Sequence, residues 1–142
     1  AAAQGYAEAQ CNLGSMYNAG QGVAQDVTKA RELFEQAAAQ GVAHAQFNLG
    51  GMYREGKKVA QDFMKAKEWY ELAAAQGLAH AQFALGGMYQ YRYGVAQDST
   101  KAREWFELAA AQGHARAMSN IGVLYLGGDG VEPSGGKTLT SL

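Results

Sequence analysis

Apolar residues recur along this chain in two alternating patterns, both with the period of an α-helix. In the first, Ala45, Leu49, Met52 and Tyr53 stand at i, i+4, i+7 and i+8, a spacing that places their side chains on one helical face. In the second, Ala66, Trp69, Tyr70, Ala73 and Ala74 form a comparable stripe. Asp62 stands just ahead of the second stripe, where its carboxylate can accept from the exposed amides of a first helical turn. Gly56 and Gly77 follow the two stripes and tolerate the left-handed backbone in which helices often end. The pattern predicts two helices joined by a short polar turn.

The two stripes repeat. The segment Ala-Gln-Gly begins at Ala39, Ala75 and Ala111, a spacing of 36, and Ala3-Gln4-Gly5 continues it backwards. Residues 39–74 and 75–110 are identical at 25 of 36 positions. Leu13, Leu49, Leu85 and Ile121 fall in register, as do Gly14, Gly50, Gly86 and Gly122, and Tyr17, Tyr53, Tyr89 and Tyr125. The second half of each repeat returns as Asp26-x-x-Lys29-Ala30, Asp62-x-x-Lys65-Ala66 and Asp98-x-x-Lys101-Ala102. A lone helical pair cannot bury its apolar face, whereas stacked pairs can. The expected fold is therefore all-α, an αα-solenoid (superhelix) of stacked 36-residue helix-turn-helix repeats. Residues 1–130 form the array, as repeats 3–38, 39–74, 75–110 and an incomplete 111–130, and residues 131–142 form an atypical glycine-containing tail.

Composition agrees and narrows the function. Alanine, the best helix former, occurs 28 times in 142 residues, against a single proline, Pro133. Twelve basic and 13 acidic side chains leave a net charge of -1, which removes the electrostatic warrant for nucleic-acid binding. The lone Cys11 excludes an internal disulfide framework. No apolar run approaches the roughly 20 residues of a membrane span, and no signal peptide is visible. Bacterial cytoplasm, periplasm and secretion all stay open, because the chain starts at Ala1 without a methionine.

The run Ala43-x-Ala45-Gln46-Phe47-x-Leu49-Gly50-x-Met52-Tyr53, followed by Val59, Asp62-x-x-Lys65-Ala66-x-x-Trp69-Tyr70-x-x-Ala73-Ala74-x-x-Gly77, resembles the Sel1-like repeat, a relative of the tetratricopeptide repeat with a slightly longer unit. The resemblance covers residues 1 to about 131. It implies an αα-solenoid that scaffolds protein complexes without chemistry of its own. Family members occur in bacterial periplasm, secretions and cytoplasm and in the endoplasmic reticulum, so compartment does not carry over. Some staple each repeat with a cysteine pair, and this chain departs from that subgroup. It also departs at both ends. Residues 1–5 look like the tail of a preceding second helix, and Val131 to Gly136 replaces the Asp-capped helix start of a fourth repeat. The last repeat is expected to be incomplete with a poorly ordered tail. The 142-residue form is expected to be a fragment whose open ends find cover by self-association.

Candidate chemistry is sparse. Ser134-Gly-Gly-Lys137 has the Ser-x-x-Lys spacing of penicillin-recognising enzymes, which would make Ser134 a β-lactam-reactive nucleophile, but two glycines separate the pair and no Lys-Thr-Gly or Ser-Asp-Asn accompanies it. Gly136-Lys137-Thr138 lacks the earlier glycine of a phosphate loop, since Val131 stands there. The glycine-rich run from Gly127 to Gly130 matches no calcium loop. His44 and His80 occupy one repeat position, which stacked repeats hold too far apart to share a metal, so they read as solvated residues near helix starts. Cys11 aligns with Phe47 and Phe83 and reads as a packing residue. The expectation is a non-enzyme without cofactor or metal.

A protein or peptide partner, with no nucleic acid and no membrane insertion, has two candidate surfaces. Opposite the core stripe of the first helices, at about 100° per residue, lie Phe47, Gly51 and Arg54, with His44, Asn48 and Glu55 on one shoulder. In a solenoid this face lines the concave side. Across repeats it reads Cys11, Phe47, Phe83 and Ser119, then Ser15, Gly51, Gly87 and Val123, then Asn18, Arg54, Gln90 and Leu126. His80 repeats His44, and Asn12, Asn48 and Asn120 recur where an amide, donor and acceptor together, suits a bound main chain. The second surface is the turn of the third repeat, where Tyr91, Arg92 and Tyr93 replace the residues Glu55, Gly56 and Lys57, and such side chains favour interfaces. The competing reading is a structural spacer within a larger protein.

Overall fold

A computed structural model describes residues 2–56, 59–93 and 95–127, with side chains from 5 to 124. The Ser134 and Lys137 motif, the phosphate-loop-like segment and the tail 131–142 lie outside the described residues. Within them are seven helices: α1 (Ala2–Ala19), α2 (Val27–Ala39), α3 (Ala43–Glu55), α4 (Phe63–Ala75), α5 (Ala79–Tyr91), α6 (Ser99–Ala111) and α7 (Ala115–Gly127). They group into two compact units, Ala1–Gln76 and Gly77–Leu142.

The Asp-x-x-Lys-Ala signature does three jobs in each helical pair. Asp26, Asp62 and Asp98 cap the second helices, each carboxylate accepting from the amide of the lysine three residues on at 3.0 Å. The same aspartates donate their backbone N–H to the carbonyls of Tyr17, Tyr53 and Tyr89 at 2.9, 2.9 and 3.1 Å, tying the second helix to the end of the first. The lysines then reach back over those tyrosine rings, with Nζ 5.4, 5.2 and 5.4 Å from the centroids, inside the range of a cation–π contact.

In the first unit, Ala30, Phe34, Ala37 and Ala38 of α2 pack with Cys11 of α1 and with Ala45 and Leu49 of α3. Tyr70 and Ala66, Ala73 and Ala74 repeat that arrangement on α4. In the second unit, Ala102, Phe106 and Ala109 of α6 pack with Tyr89 of α5 and with Ala117 and Leu124 of α7. Phe34, Tyr70 and Phe106, the same repeat position, are all under 2% exposed, and each buried aromatic contributes about 3 kcal/mol of transfer free energy. Alanines beneath the rings let helix pairs approach closely. The outward charges form i,i+4 pairs, Arg31–Glu35 at 3.3 Å, Lys67–Glu71 at 2.9 Å and Arg103–Glu107 at 3.4 Å, which contribute little at half-exposed sites.

Two local features differ from the reading of the sequence. Gly5 does not end a preceding helix, because α1 runs from Ala2 through it. Gly41, Gly77 and Gly113, its counterparts, take φ of 91°, 90° and 86° and turn the chain into the next first helix. Glycine permits that conformation without enforcing it, and in an alanine-rich run the helix continues. At the other turn, Gly20 and Gly56 adopt φ of 74° and 70°, and Arg92 adopts φ of 61° at the same repeat position, a non-glycine residue in the left-handed region.

Candidate partner-binding groove

The first unit carries an open groove of about 1020 Å³. Its floor comes from α1 through Asn12 and Ser15 and from the start of α3 through His44 and Asn48, with Gln40 and Gln76 closing one side. The two asparagines come from equivalent positions of α1 and α3, so the 36-residue repeat is what sets them across one depression. Cys11 reaches the same wall but is only 4% exposed, a member of the core rather than an open groove residue. Burial, with the nearby Glu8 charge adding to it, raises the Cys11 pKa and keeps the thiol protonated and a poor nucleophile.

A smaller cavity of about 370 Å³ lies further along α3, toward its C-terminal end. Phe47, Asn48, Gly51 and Arg54 line it, so Asn48 belongs to both depressions. Phe47 does not stand free there, since its ring meets that of Tyr70 at 5.7 Å between centroids.

In the second unit the expected residues fall into two groups. Phe83 packs 5.6 Å from Phe106 and stacks on His114 at 4.7 Å, with the Arg116 guanidinium 4.9 Å from its centroid. His80 approaches His114, Nδ1 to Nε2, at 3.2 Å. His114 Nδ1 accepts from the Ala117 amide at 3.2 Å and so caps α7, which leaves Nε2 as the donor to His80. Burial lowers the His114 pKa, and the neighbouring His80 and Arg116 lower it further. Tyr91 and Tyr93 are 57% and 43% exposed with rings 6.2 Å apart, while Arg92 turns its guanidinium onto Gln97 Oε1 at 3.2 and 3.3 Å. Asn120, on α7, is half-buried.

Sequence reasoning passed over the recurring glutamines, of which Gln40 and Gln76 line the groove. Gln76 donates from Nε2 to the Gly41 carbonyl at 2.9 Å and to Gln46 Oε1 at 3.0 Å, and Gln112 does the same to Gly77 at 2.7 Å and Gln82 at 3.0 Å. Gln46, buried, donates in turn to the Ala38 carbonyl at 3.3 Å. Their signal was present, since glutamine recurs at 10, 46 and 82 and again at 40, 76 and 112. The His80–His114 contact left no such trace, because His114 falls outside the register of His44 and His80. Among the described residues no three His, Cys, Asp or Glu side chains converge on a metal-binding position, and no helix is long and apolar enough to cross a membrane.

The Sel1 repeat model matches residues 7–42, 43–78, 79–114 and 115–138. The chain is similar to the protective antigen c5321 of uropathogenic Escherichia coli strains, which displays an SLR fold, at 41% identity and a TM-score of 0.87, covering 92% of this chain and 28% of that one. A Sel1 repeat protein from Oxalobacter formigenes is 35% identical with a TM-score of 0.85 over 92% of this chain and 52% of its own. The chain thus spans about a quarter and about half of these two relatives. Helicobacter pylori cysteine rich protein B, 24% identical, shares the fold with a TM-score of 0.69 over 81% of this chain and 89% of its own. No curated protein sequence matches. Its four tandem matches and its all-helical fold make this chain a member of the Sel1 repeat family, of the αα-solenoid class.

Proposed function

We propose that this chain is a non-catalytic interaction module that holds an extended peptide segment of a protein partner in the groove of its first unit. Sel1 repeat proteins are generally protein-interaction scaffolds. The observation that carries the finer reading is the placement of Asn12 and Asn48, with His44 and Ser15 beside them, around a single groove of about 1020 Å³. Each amide offers a donor and an acceptor to one peptide unit, which recognises main chain whatever the side chains. Small Ser15 lets that main chain come close.

A random dodecapeptide display library panned against the folded chain supplies the probe. Retained peptides are then titrated calorimetrically against wild type and Asn12→Ala/Asn48→Ala. Loss of about tenfold or more in affinity is expected, from two to four hydrogen bonds of about 1 kcal/mol each. Unchanged affinity in the folded double variant overturns the reading. The asparagines are better targets than Phe47 or Phe83, whose rings also pack on Tyr70 and Phe106.

The exposed Tyr91 and Tyr93 favour the turn of the third repeat as a second contact surface, since an exposed aromatic pair beside an arginine is the composition of interface anchors.

A further inference from the structure

The three equivalent aromatics of the second helices are Phe34, Tyr70 and Phe106, so one copy alone carries a hydroxyl. Packing accounts for the rings, all of them buried. It does not account for the oxygen. Tyr70 is 1% exposed, and its hydroxyl makes no hydrogen bond to any described residue.

That oxygen passes over Gly51, 3.8 Å from where a Cβ would stand, and opens onto the cavity of about 370 Å³ lined by Phe47, Asn48 and Arg54. Arg54 is exposed and forms no ion pair among the described residues. Glu55 also lines the cavity. At the Tyr70 hydroxyl, burial has the largest influence and raises its pKa, and the opposing pull of the Arg54 cation outweighs the push of the Glu55 carboxylate. The phenol therefore stays protonated and is a donor at the cavity wall, with the Arg54 cation and the Glu55 carboxylate both lining it. The combination is confined to one repeat: Tyr70, Arg54 and Asn48 become Phe106, Gln90 and Ala84 in the next, and Phe34, Asn18 and Asn12 in the one before.

We infer that Tyr70 Oη and the Arg54 guanidinium, next to the groove residue Asn48, form a subsite for an aspartate or glutamate side chain of the bound peptide. The inference rests on the groove reading, because Asn48 lines both depressions and a main chain held there passes the mouth of this cavity. The phenol and the guanidinium donate to the carboxylate oxygens, and Phe47 shields one side of the contact. An amide in the same place would face a donor with its own donor.

The test uses the dodecapeptide library panned in parallel against wild type, Tyr70→Phe and Arg54→Gln. Both substitutions install what another repeat already holds at that position, so the fold is retained. Wild type should select peptides with Asp or Glu at a fixed place. A synthetic peptide from that pool should bind about tenfold more tightly than its Asn or Gln counterpart, the size of one charge-assisted hydrogen bond. Each variant should lose most of that ratio while still binding the amide form. Equal binding of acid and amide peptides by wild type, or an undiminished ratio in Tyr70→Phe, overturns the subsite; if Asn12→Ala/Asn48→Ala still weakens the same peptides, the groove survives. A library from which wild type retains nothing overturns both.

Discussion

The ring of Phe106 occupies the place where a side chain on Gly86 would begin, its Cδ1 and Cε1 only 2.5 Å from an ideal Cβ there. Gly50 stands in the same relation to Tyr70, at 2.6 Å from Cε1, and Gly14 to Phe34 at 2.9 Å. One residue further on, Gly87 has nothing within 4 Å. Adjacent glycines should therefore respond with opposite sign. Gly86→Ala should destabilise by about 1–3 kcal/mol through overpacking against a fixed ring. Gly87→Ala should stabilise by about 0.5–1 kcal/mol through helix propensity. Urea midpoints compared at equal m-value decide it, and two shifts of the same sign refute the packing account.

Arg92 adopts a left-handed backbone that Gly20 and Gly56 adopt at the same repeat position. For an L side chain that conformation costs about 1–2 kcal/mol, only partly offset by its bonds to Gln97. Arg92→Gly should raise stability by about 1 kcal/mol net, allowing for the greater freedom of glycine in the unfolded chain. A lower thermal midpoint would show that the guanidinium contacts outweigh the strain.

The His114 pKa is lowered by burial and by His80 and Arg116, from an ordinary value of 6.5. In the window between the lowered value and 6.5 the unfolded chain binds the extra proton. Stability from this group is thus fully present above 6.5 and falls as pH drops through the folded value. Protonation at Nδ1 also removes the acceptor that caps α7. His114→Asn keeps a capping oxygen but loses the titration, so its stability should vary less with pH between about 5 and 7 than that of wild type. Urea melts across that range, with parallel curves for the two proteins as the adverse outcome, provide the check.

Asp62 accepts from the Lys65 amide at 3.0 Å, and Lys65 lies over Tyr53. Asp62→Ala should cost about 1 kcal/mol as a lost N-cap, and Asp62→Asn much less. Equal losses would mean that charge rather than the cap hydrogen bond carries the effect.

The helices, their order and the capping aspartates were legible because each rests on a local signal repeated at a fixed interval. Asp62 before the stripe at Ala66, Tyr70, Ala73 and Ala74 needs only its neighbours to be understood. Asn12 and Asn48 were legible for the same reason, as one position read twice. Tyr70 was not, since its stripe position reads as core and only the three-dimensional opening beside Gly51 gives its hydroxyl a destination. His114 was hidden by its place outside the repeat register, and Arg92 by the bias that expects glycine wherever φ is positive. Departures from the repeat carried the information that periodicity averages away.

Within each unit, every helix packs mainly on the helix next to it in sequence, α1 on α2, α2 on α3, α3 on α4, and likewise α5 on α6 and α6 on α7. No large loop has to close before these contacts form, so the entropic barrier is that of bringing together segments about 20 residues apart. Such low contact order favours submillisecond to millisecond folding and lets a helical pair settle while the following one is still being synthesised. It also means that gain or loss of one whole repeat changes the length of the molecule without asking any surviving helix to find a new partner by a longer route.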